Sequence, residues 1–216
     1  ALHNVSTLEN DLSTESLEAE HAGTWAFNPL TLSPQQRHQV CRTLLSFAAR
    51  DVAAVTEEVL SNFVSAAAGG YLSGPQYHNF PHAVDVTHTL FMVIQDCGRG
   101  PFALMPRLDV YALLASAVCH DIGHSGLNND FIAQTKNELA IRYNDHSPLE
   151  NMHCATFFEL LQDKSLNVFD SLIRREQKEV RQICIDAILH TDNTLHSTIV
   201  QGLKMFGEMN EELLNR

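Results

Sequence analysis

The stretch YALLASAVCHDIGHSGLNND, residues 111–130, changes character abruptly at His120. Its first nine residues are mostly apolar, which predicts the middle of a buried helix. Two histidines, two aspartates and two asparagines then follow within eleven residues. Either the helix simply reaches the surface there, or the end of a core element carries a metal site. Other parts of the sequence decide between these two interpretations.

The length and composition indicate one globular domain. A chain of 216 residues with 44% apolar content can bury a sizeable core, and it is short for two domains. No apolar run reaches the roughly 18–20 residues that cross a bilayer, so no membrane span is predicted. The N-terminus lacks a basic segment followed by an apolar one, so no signal peptide is predicted. The first residue is Ala rather than Met, as in a piece cut from a longer protein.

The formal net charge of -12 argues against binding to nucleic acid or anionic lipid, because both are negatively charged. An anionic substrate is compatible with this charge if metal ions or local positive groups reverse the field at the site. The five cysteines lie far apart and form no C-x-x-C pair. This pattern favours buried thiols in a reducing compartment over a disulfide framework. We therefore predict a cytoplasmic protein.

The hydrophobic pattern is helical almost throughout the chain, after a polar extension at residues 1–24. Ser and Pro residues mark several helix starts, and no pair of strand-like runs joined by a hairpin turn occurs. The sequence therefore predicts a compact, multi-helix, all-α fold. The predicted helices span about residues 34–50, 51–68, 80–97, 107–121, 148–162, 175–189 and 195–214.

The His120–Asp121 pair gains weight from its position at the end of a predicted buried helix. A dipeptide of this kind is expected about once by chance in such a composition. A carboxylate beside an imidazole at a helix end can bind a divalent ion, because the helix fixes both directions. Asp121 could also bridge two ions through its two oxygens. His124 follows four residues later and would lie near the same face if the helical turn continued through Gly123.

A second cluster is YHNFPHAVD, residues 77–85, in which His78 and His82 are four residues apart. Pro81 starts a helix between them, so His82 would lie in the first helical turn and be rigidly aimed as a metal ligand. His78 would precede the helix and be freer to donate a proton. The spacing alone is equally compatible with a histidine that fills a helical turn and another that faces water.

Other polar residues have simpler structural explanations. Ser147 and Glu150 in the SPLE stretch match a capping box, with Pro148 at the first helical position. Asn129 could start a short helix before FIAQ, and Asp192 could be a turn former after a helix. These explanations need no function for the residues.

Four blocks occur in order along the chain: YHNFPHAVDV, HDIGHSGLNN, NELAIRYNDHSPLENMH and ILHTDN. Together they resemble the catalytic domain of the class I 3′,5′-cyclic nucleotide phosphodiesterases, the all-α members of the HD hydrolases. The HDIGHSGLNN block is rather specific, and the resemblance covers residues 25–216. It favours the metal-site interpretation of the histidine clusters.

The resemblance implies hydrolysis of a 3′,5′-cyclic nucleotide to the 5′-monophosphate by a metal-bridging hydroxide. His78 would be the general acid that protonates the leaving 3′ oxygen. The site would hold two metals, Zn²⁺ and Mg²⁺ (or Mn²⁺), with Asp121 between them. The implied metal ligands are His82, His120 and Asp121, and the implied pocket or supporting residues are Tyr77, His124, Asn129, Glu150 and Asp192.

The chain ends before the parts of this family that would complete the site. A further metal-ligand aspartate, and the glutamine and aromatic residue that hold the base, would lie beyond Arg216. Residues 25–216 would then be the N-terminal two-thirds or so of a catalytic domain, and the choice between cyclic AMP and cyclic GMP is not predicted. Two alternatives stay open: a truncated, non-catalytic metal- or partner-binding module, and an HD hydrolase acting on another nucleotide phosphoester. A homodimer and regulatory domains outside this segment are left open as well.

Overall fold

The computed structural model describes the backbone of residues 24–96 and 105–214, and the side chains up to residue 208. Over these residues the chain forms helices and turns without a β-strand, which confirms the predicted all-α fold. None of the helices in this part of the chain is long and apolar enough to cross a membrane. Apart from its last residue, the predicted polar extension at residues 1–24 lies outside the described residues. The α-helices are α1 (Pro34–Ala49), α2 (Glu57–Gly70), α3 (Phe80–Asp96), α4 (Arg107–Cys119), α5 (Asn129–Gln134), α6 (Glu138–Tyr143), α7 (Pro148–Leu160), α8 (Arg174–Leu189) and α9 (His196–Leu214), with short 3-10 segments at Pro29–Thr31 and Asn193–Leu195.

Helix α4 is the centre of the fold, and it packs most extensively against α8, α3 and α1. The side chains of Tyr111, Leu114 and Val118 are fully buried. The Tyr111 hydroxyl donates a 2.8 Å hydrogen bond to the Val168 carbonyl oxygen, which satisfies its buried polar atom. Because α4 is apolar on almost every side, as the YALLASAVC run predicts, the polar residues after Cys119 emerge directly from the core.

Two helix starts differ in how well the sequence predicts them. Helix α1 begins as expected, because the Ser33 side chain accepts a hydrogen bond from the Gln36 N–H at 3.3 Å and Gln36 completes the capping box. Helix α2 begins after Thr56 and not at the predicted position 51, since Thr56 caps it by accepting a bond from the Val59 N–H. Asp51 has a left-handed φ of 64°, a conformation that cannot continue a helix.

Two short helices, α5 and α6, fill the segment before α7. Periodicity does not predict them, because each has 6 residues and therefore fewer than two turns. Asn128 caps α5 by accepting a bond from the Phe131 N–H at 2.8 Å, and Asn137 caps α6 by accepting one from the Leu139 N–H at 3.0 Å. Asn129 is therefore the first helical residue of α5, and the capping asparagine is the one before it.

The C-terminal end of α2 contacts the segment that follows α4. Gly70 is the last residue of α2, two residues beyond the predicted end at about 68. The Gly70 carbonyl oxygen accepts a 3.1 Å hydrogen bond from the Gly123 N–H. A Cβ added to Gly70 would lie 2.6 Å from Ile122 Cδ1, whereas a Cβ added to Gly69 would meet nothing within 4 Å. Gly70 therefore allows α2 to approach the residues after α4 closely.

We expect Gly70→Ala to lower the free energy of unfolding by about 1–3 kcal/mol, because the added methyl group forces Ile122 to move within a packed core. Gly69→Ala is the matched control. It adds the same group at an exposed position and should be neutral or stabilise by up to about 1 kcal/mol. Urea unfolding followed by circular dichroism compares the two variants with the parent chain. Equal stabilities for both variants would show that Ile122 moves aside freely.

Helix α9 leaves apolar side chains in solvent. Leu203, Met205 and Phe206 are 64–66% exposed. The helix contacts mainly the 3-10 segment that precedes it. Among residues 24–96 and 105–208, no side chain covers this apolar face.

Candidate metal centre

The three predicted metal ligands reach one point from two helices. His82 is the third residue of α3, and its backbone N–H donates a 3.2 Å hydrogen bond to Asn79 Oδ1. This bond caps the N-terminus of α3 and places His82 in the first turn, as predicted. His120 and Asp121 directly follow α4, and His120 keeps a helical backbone conformation. Helix α3 thus supplies one imidazole, and the end of α4 supplies a second imidazole and a carboxylate.

The ligand atoms of His82, His120 and Asp121 all lie within 4.8 Å of one another. Asp121 Oδ2 is 3.5 Å from His82 Nε2 and 3.3 Å from His120 Nε2. His120 Nδ1 donates to the Ala117 carbonyl oxygen at 2.8 Å, which leaves the Nε2 lone pair for a ligand bond. Two imidazole nitrogens and a carboxylate oxygen around one point form a donor set that fits zinc or another divalent ion.

The charges in this cluster depend on one another. Burial works to raise the pKa of Asp121, but the hydrogen bond and charge of His120 outweigh it and hold this pKa well below its usual range. Burial works to lower the pKa of His120, and the bond to Asp121 raises it instead. The pKa of His82 is lowered, first by burial and then by the charge of His120. Asp121 is therefore an anion and His82 a neutral ligand near neutral pH, as metal coordination requires.

A turn after α4, and not the helix itself, places His124 at the site. Helix α4 ends at Cys119, and Gly123 in the following turn has a left-handed φ of 78°, so the helical turn does not continue through Gly123. The His124 ring nevertheless stacks on His78, with centroids 4.0 Å apart and planes 13° apart. Burial and the charge of His78 lower the pKa of His124. The Gly126 N–H donates to His124 Nδ1 at 2.9 Å, which fixes the tautomer that carries its proton on Nε2.

His78 and Tyr77 lie ahead of α3 at the rim of the site. Tyr77 is 64% exposed, whereas His78 is half-buried. The centroid of the His82 ring lies 4.4 Å from that of Tyr77 and 6.0 Å from that of His78. These ring contacts, together with the stacking on His124, hold His78 more firmly than its position outside the helix suggests.

His153 belongs to this cluster, although the sequence analysis does not single it out. It is 1% exposed, its Nδ1 donates to the Ile122 carbonyl oxygen at 2.7 Å, and its Nε2 lies 3.9 Å from Asp121 Oδ1. Burial lowers its pKa to about 4, so the ring is neutral. A signal was present in the sequence, because Leu149, His153 and Phe157 recur every four residues along the buried face of α7. A polar residue on such a face needs a partner.

The capping box predicted at Ser147 and Glu150 is wrong. Ser147 has a left-handed backbone, with φ 42° and ψ 54°, and makes no side-chain cap bond to α7. An N-cap normally has an extended conformation that aims its side chain at the helix. Asn129 caps α7 instead, because its Oδ1 accepts a bond from the Leu149 N–H at 3.1 Å. The Nδ2 of Asn129 also donates a hydrogen bond to Glu150 Oε2 at 2.8 Å. Glu150 is therefore held by a neighbouring helix.

Asp192 is more than the turn former that was predicted. It begins the 3-10 segment by accepting hydrogen bonds at Oδ1 from the Thr194 N–H at 2.9 Å and from the Thr194 hydroxyl at 2.8 Å. It is also 6% exposed and faces the same cavity as Glu150. Burial raises the pKa of Glu150, and the charges of Asp192 and Asp121 raise it further against the opposing bond from Asn129. A cation would relieve this repulsion.

We expect Asn129→Ala to lower the free energy of unfolding by about 1–2 kcal/mol, because it leaves both the Leu149 N–H and the Glu150 carboxylate without their partner. Asn137→Ala is the matched control, since Asn137 caps α6 but holds no second side chain. Asn137→Ala should lower the free energy of unfolding by less than Asn129→Ala does. Denaturant unfolding of both variants measures the difference, and an equal or larger cost for the control would show that the Glu150 bond contributes nothing.

The cluster borders a cavity of about 760 Å³, a size typical of small-molecule sites. Part of its lining is apolar and comes from α3, α4 and α8, at Val86, Leu90, Leu113 and Ile188. The cavity therefore offers a polar, cation-binding side and a surface for an apolar group. All nine site residues predicted from the sequence line it: Tyr77, His78, His82, His120, Asp121, His124, Asn129, Glu150 and Asp192.

The chain is similar in sequence to proteins of one family. Residues 77–215 match the family described as 3′5′-cyclic nucleotide phosphodiesterase. The high affinity cGMP-specific 3′,5′-cyclic phosphodiesterase 9A of Mus musculus is 38% identical over 149 residues, which are 67% of this chain and 27% of that protein. The 3′,5′-cyclic-AMP phosphodiesterase, isoform F, of Drosophila melanogaster is 31% identical over 206 residues, which are 94% of this chain and 30% of that protein. The chain belongs to the 3′,5′-cyclic nucleotide phosphodiesterase family.

The fold is similar to that of a solved phosphodiesterase domain. The domain of the Salpingoeca rosetta rhodopsin phosphodiesterase superposes with a TM-score of 0.84 and 27% sequence identity, over 97% of this chain and 60% of that one. The chain thus spans 27–30% of the two sequence relatives above and 60% of the solved chain. It corresponds to part of each of these proteins.

Proposed function

We propose that this chain forms the metal-binding part of an enzyme that hydrolyses cyclic AMP or cyclic GMP at the 3′ P–O bond to give the 5′-monophosphate. The observation that carries the proposal is the convergence of His82, His120 and Asp121 in a 760 Å³ cavity that His78 also lines. The relatives above are named for cyclic GMP and for cyclic AMP, so both nucleotides are candidate substrates.

His82, His120 and Asp121 would hold Zn²⁺, and Asp121 has a second oxygen that a second ion, Mg²⁺ or Mn²⁺, could share. When bound, these cations offset phosphate charge and activate water for attack on phosphorus. The acidic character of the chain supports this assignment. With a net charge of -12 and the carboxylates of Asp121, Glu150 and Asp192 facing one cavity, an anionic substrate would be repelled unless cations were bound.

His78 is the residue that we assign as proton donor to the leaving 3′ oxygen. Its ring is stacked on His124 and lies edge-on to Tyr77, with centroids 5.0 Å apart. Stacking on His124 uses one face of the ring, so His124 does not cover the ring nitrogens, which lie at the edge. Because His78 is half-buried and lines the cavity, it can recover its proton from water after each turnover.

A reducing, cytoplasmic location belongs to the same proposal. Cys41, Cys119, Cys154 and Cys184 are free and buried, while Cys97 lies outside the described residues. Burial raises the pKa of Cys41 to about 12, so its thiol stays protonated and unreactive. A homodimer and regulatory domains outside this segment stay predictions.

The test is hydrolysis of an equimolar mixture of cyclic AMP and cyclic GMP by the 216-residue chain with zinc and magnesium, followed by phosphorus NMR. Conversion to the 5′-monophosphates that a chelator abolishes would support the proposal, and the ratio of the two rates would give the substrate preference. A folded chain that binds no zinc would contradict the proposal. A folded chain that retains zinc but converts neither nucleotide would favour a metal- or partner-binding module.

A further inference from the structure

The loop that leads into α7 contains left-handed residues other than glycine. Asn144, Asp145 and Ser147 have φ values of 54°, 63° and 42°. Asn and Asp tolerate this region because their side chains bond locally, but Ser147 also precedes Pro148. A residue before proline is pushed towards a ψ of about 120–160°, whereas ψ of Ser147 is 54°. The local sequence therefore does not select this conformation, and a contact elsewhere must hold it.

A hydrogen bond across the fold provides that contact. The Ser147 hydroxyl donates to Asp192 Oδ2 at 2.6 Å, over a separation of 45 residues. Asp192 is itself fixed, since its Oδ1 is engaged by Thr194 and the residue is 6% exposed. The Ser147 carbonyl oxygen accepts a 3.0 Å bond from the Asn151 side chain. The left-handed turn is thus tied to α7 on one side and to the segment after α8 on the other.

This bond links two walls of the cavity, because Asp192 lines one wall and Ser147 lies behind the other, outside the lining. Leu149 and Glu150 line the cavity from the start of α7, and residues 192–194 line it from beyond α8. Asn129 tethers Glu150 from a third direction, at 2.8 Å. Without the Ser147–Asp192 bond, the start of α7 would keep the Asn129 tether and its packing against neighbouring helices, but it would lose its side-chain hydrogen bond to the segment after α8. The Glu150 carboxylate could then move relative to Asp121.

We infer that Ser147 is a positioning residue whose hydroxyl, through Asp192, holds the start of α7 so that Glu150 faces the Asp121 cluster, where a second divalent cation would bind. The inference rests on the proposed function and adds to it a residue outside the cavity. Glu150 and Asp121 carry like charges towards one space, so the position of Glu150 decides how strongly a cation between them is held.

Two variants separate this role from a purely structural one. Ser147→Gly removes the hydroxyl but accepts a left-handed φ without steric cost, so relief of strain offsets part of the lost hydrogen bond and the variant should stay folded. Ser147→Ala removes the hydroxyl and keeps the strain, so it should unfold at a lower temperature. Both should bind Mn²⁺ about 10-fold or more weakly than the parent, as expected when an outer partner of a metal site is lost. The readout is the electron paramagnetic resonance signal of free Mn²⁺, titrated with the zinc-loaded full chain.

Mn²⁺ affinity within twofold of the parent in a folded Ser147→Gly protein would overturn the inference, because the hydroxyl would then serve the fold alone. Loss of folding in Ser147→Gly, or a parent chain that binds no Mn²⁺, would overturn it as well. The readout needs no turnover. A parent that binds Mn²⁺ but hydrolyses neither nucleotide would favour a metal- or partner-binding module, and the two variants would still decide the role of Ser147.

Discussion

Asp121→Asn is expected to abolish tight zinc binding while preserving the fold. Asparagine has nearly the same shape as aspartate, but it lacks the negative charge that His82 and His120 face at 3.5 and 3.3 Å. We expect the zinc affinity to fall by more than about 100-fold, beyond the loss caused by removing an outer-shell partner. Isothermal titration calorimetry with zinc measures the affinity, and circular dichroism checks the fold.

Asp170→Asn is the control for this variant, because it removes an exposed carboxylate outside the cavity. It should bind zinc like the parent chain. If a folded Asp121→Asn protein bound zinc with the parent affinity, Asp121 would not be a metal ligand, and the arrangement of His82, His120 and Asp121 would need another explanation.

His78→Ala is expected to lower turnover of a cyclic nucleotide by about 100-fold or more while the zinc content stays unchanged. The expectation follows from the geometry, because the His78 ring centroid is 6.0 Å from that of His82 and its edge is directed away from the stack with His124. Steady-state kinetics and elemental analysis of the same samples measure both quantities. A diester with a p-nitrophenolate leaving group should lose far less activity, since that group departs without a proton.

His190→Ala is the matched histidine control, as His190 is exposed at the end of α8 and lies outside the cavity. It should keep parent turnover and parent zinc content. A parallel loss of zinc and activity in His78→Ala would contradict a role as proton donor and make His78 part of the metal site. An equal rate loss for the cyclic nucleotide and the p-nitrophenyl diester would also contradict it.

The long helices could be predicted because their apolar positions repeat over several turns. The run at residues 111–119 predicted α4, the most central of them, since a helix that is apolar all round must be buried. The start of α2 could not be predicted in this way. It depends on the left-handed backbone of Asp51 and on the side chain of Thr56, and neither changes the apolar pattern. The start of α5 at Asn129 could be proposed from the asparagine alone, whereas α6 was not predicted, because a helix of six residues is too short to show a period.

The candidate site, like the fold, could be predicted only in part from the sequence. His82 and the His120–Asp121 pair could be placed on helix ends from sequence, but their convergence depends on how α3 packs against α4. The resemblance implied His124, and a glycine turn after α4, not a continued helix, brings it to the site. The SPLE stretch has every residue of a capping box, yet a hydrogen bond from Ser147 to Asp192 overrides the local preference. Hydrogen bonds between residues far apart in the chain do not change the spacing of residue types along the sequence, so the sequence pattern does not reveal them.

The central position of α4 also sets how long the arrangement of the metal ligands persists. Amide hydrogens of a fully enclosed helix exchange with solvent only when the whole domain unfolds, whereas exposed helices exchange through local fraying. Protection should therefore be highest near Leu114 and Val118 and lowest along α9. Because His120 and Asp121 continue α4 directly, the lifetime of their arrangement is tied to the global unfolding rate. A cation bound there would therefore rest on ligands whose arrangement persists as long as the domain stays folded, even while the cation itself exchanges through the cavity.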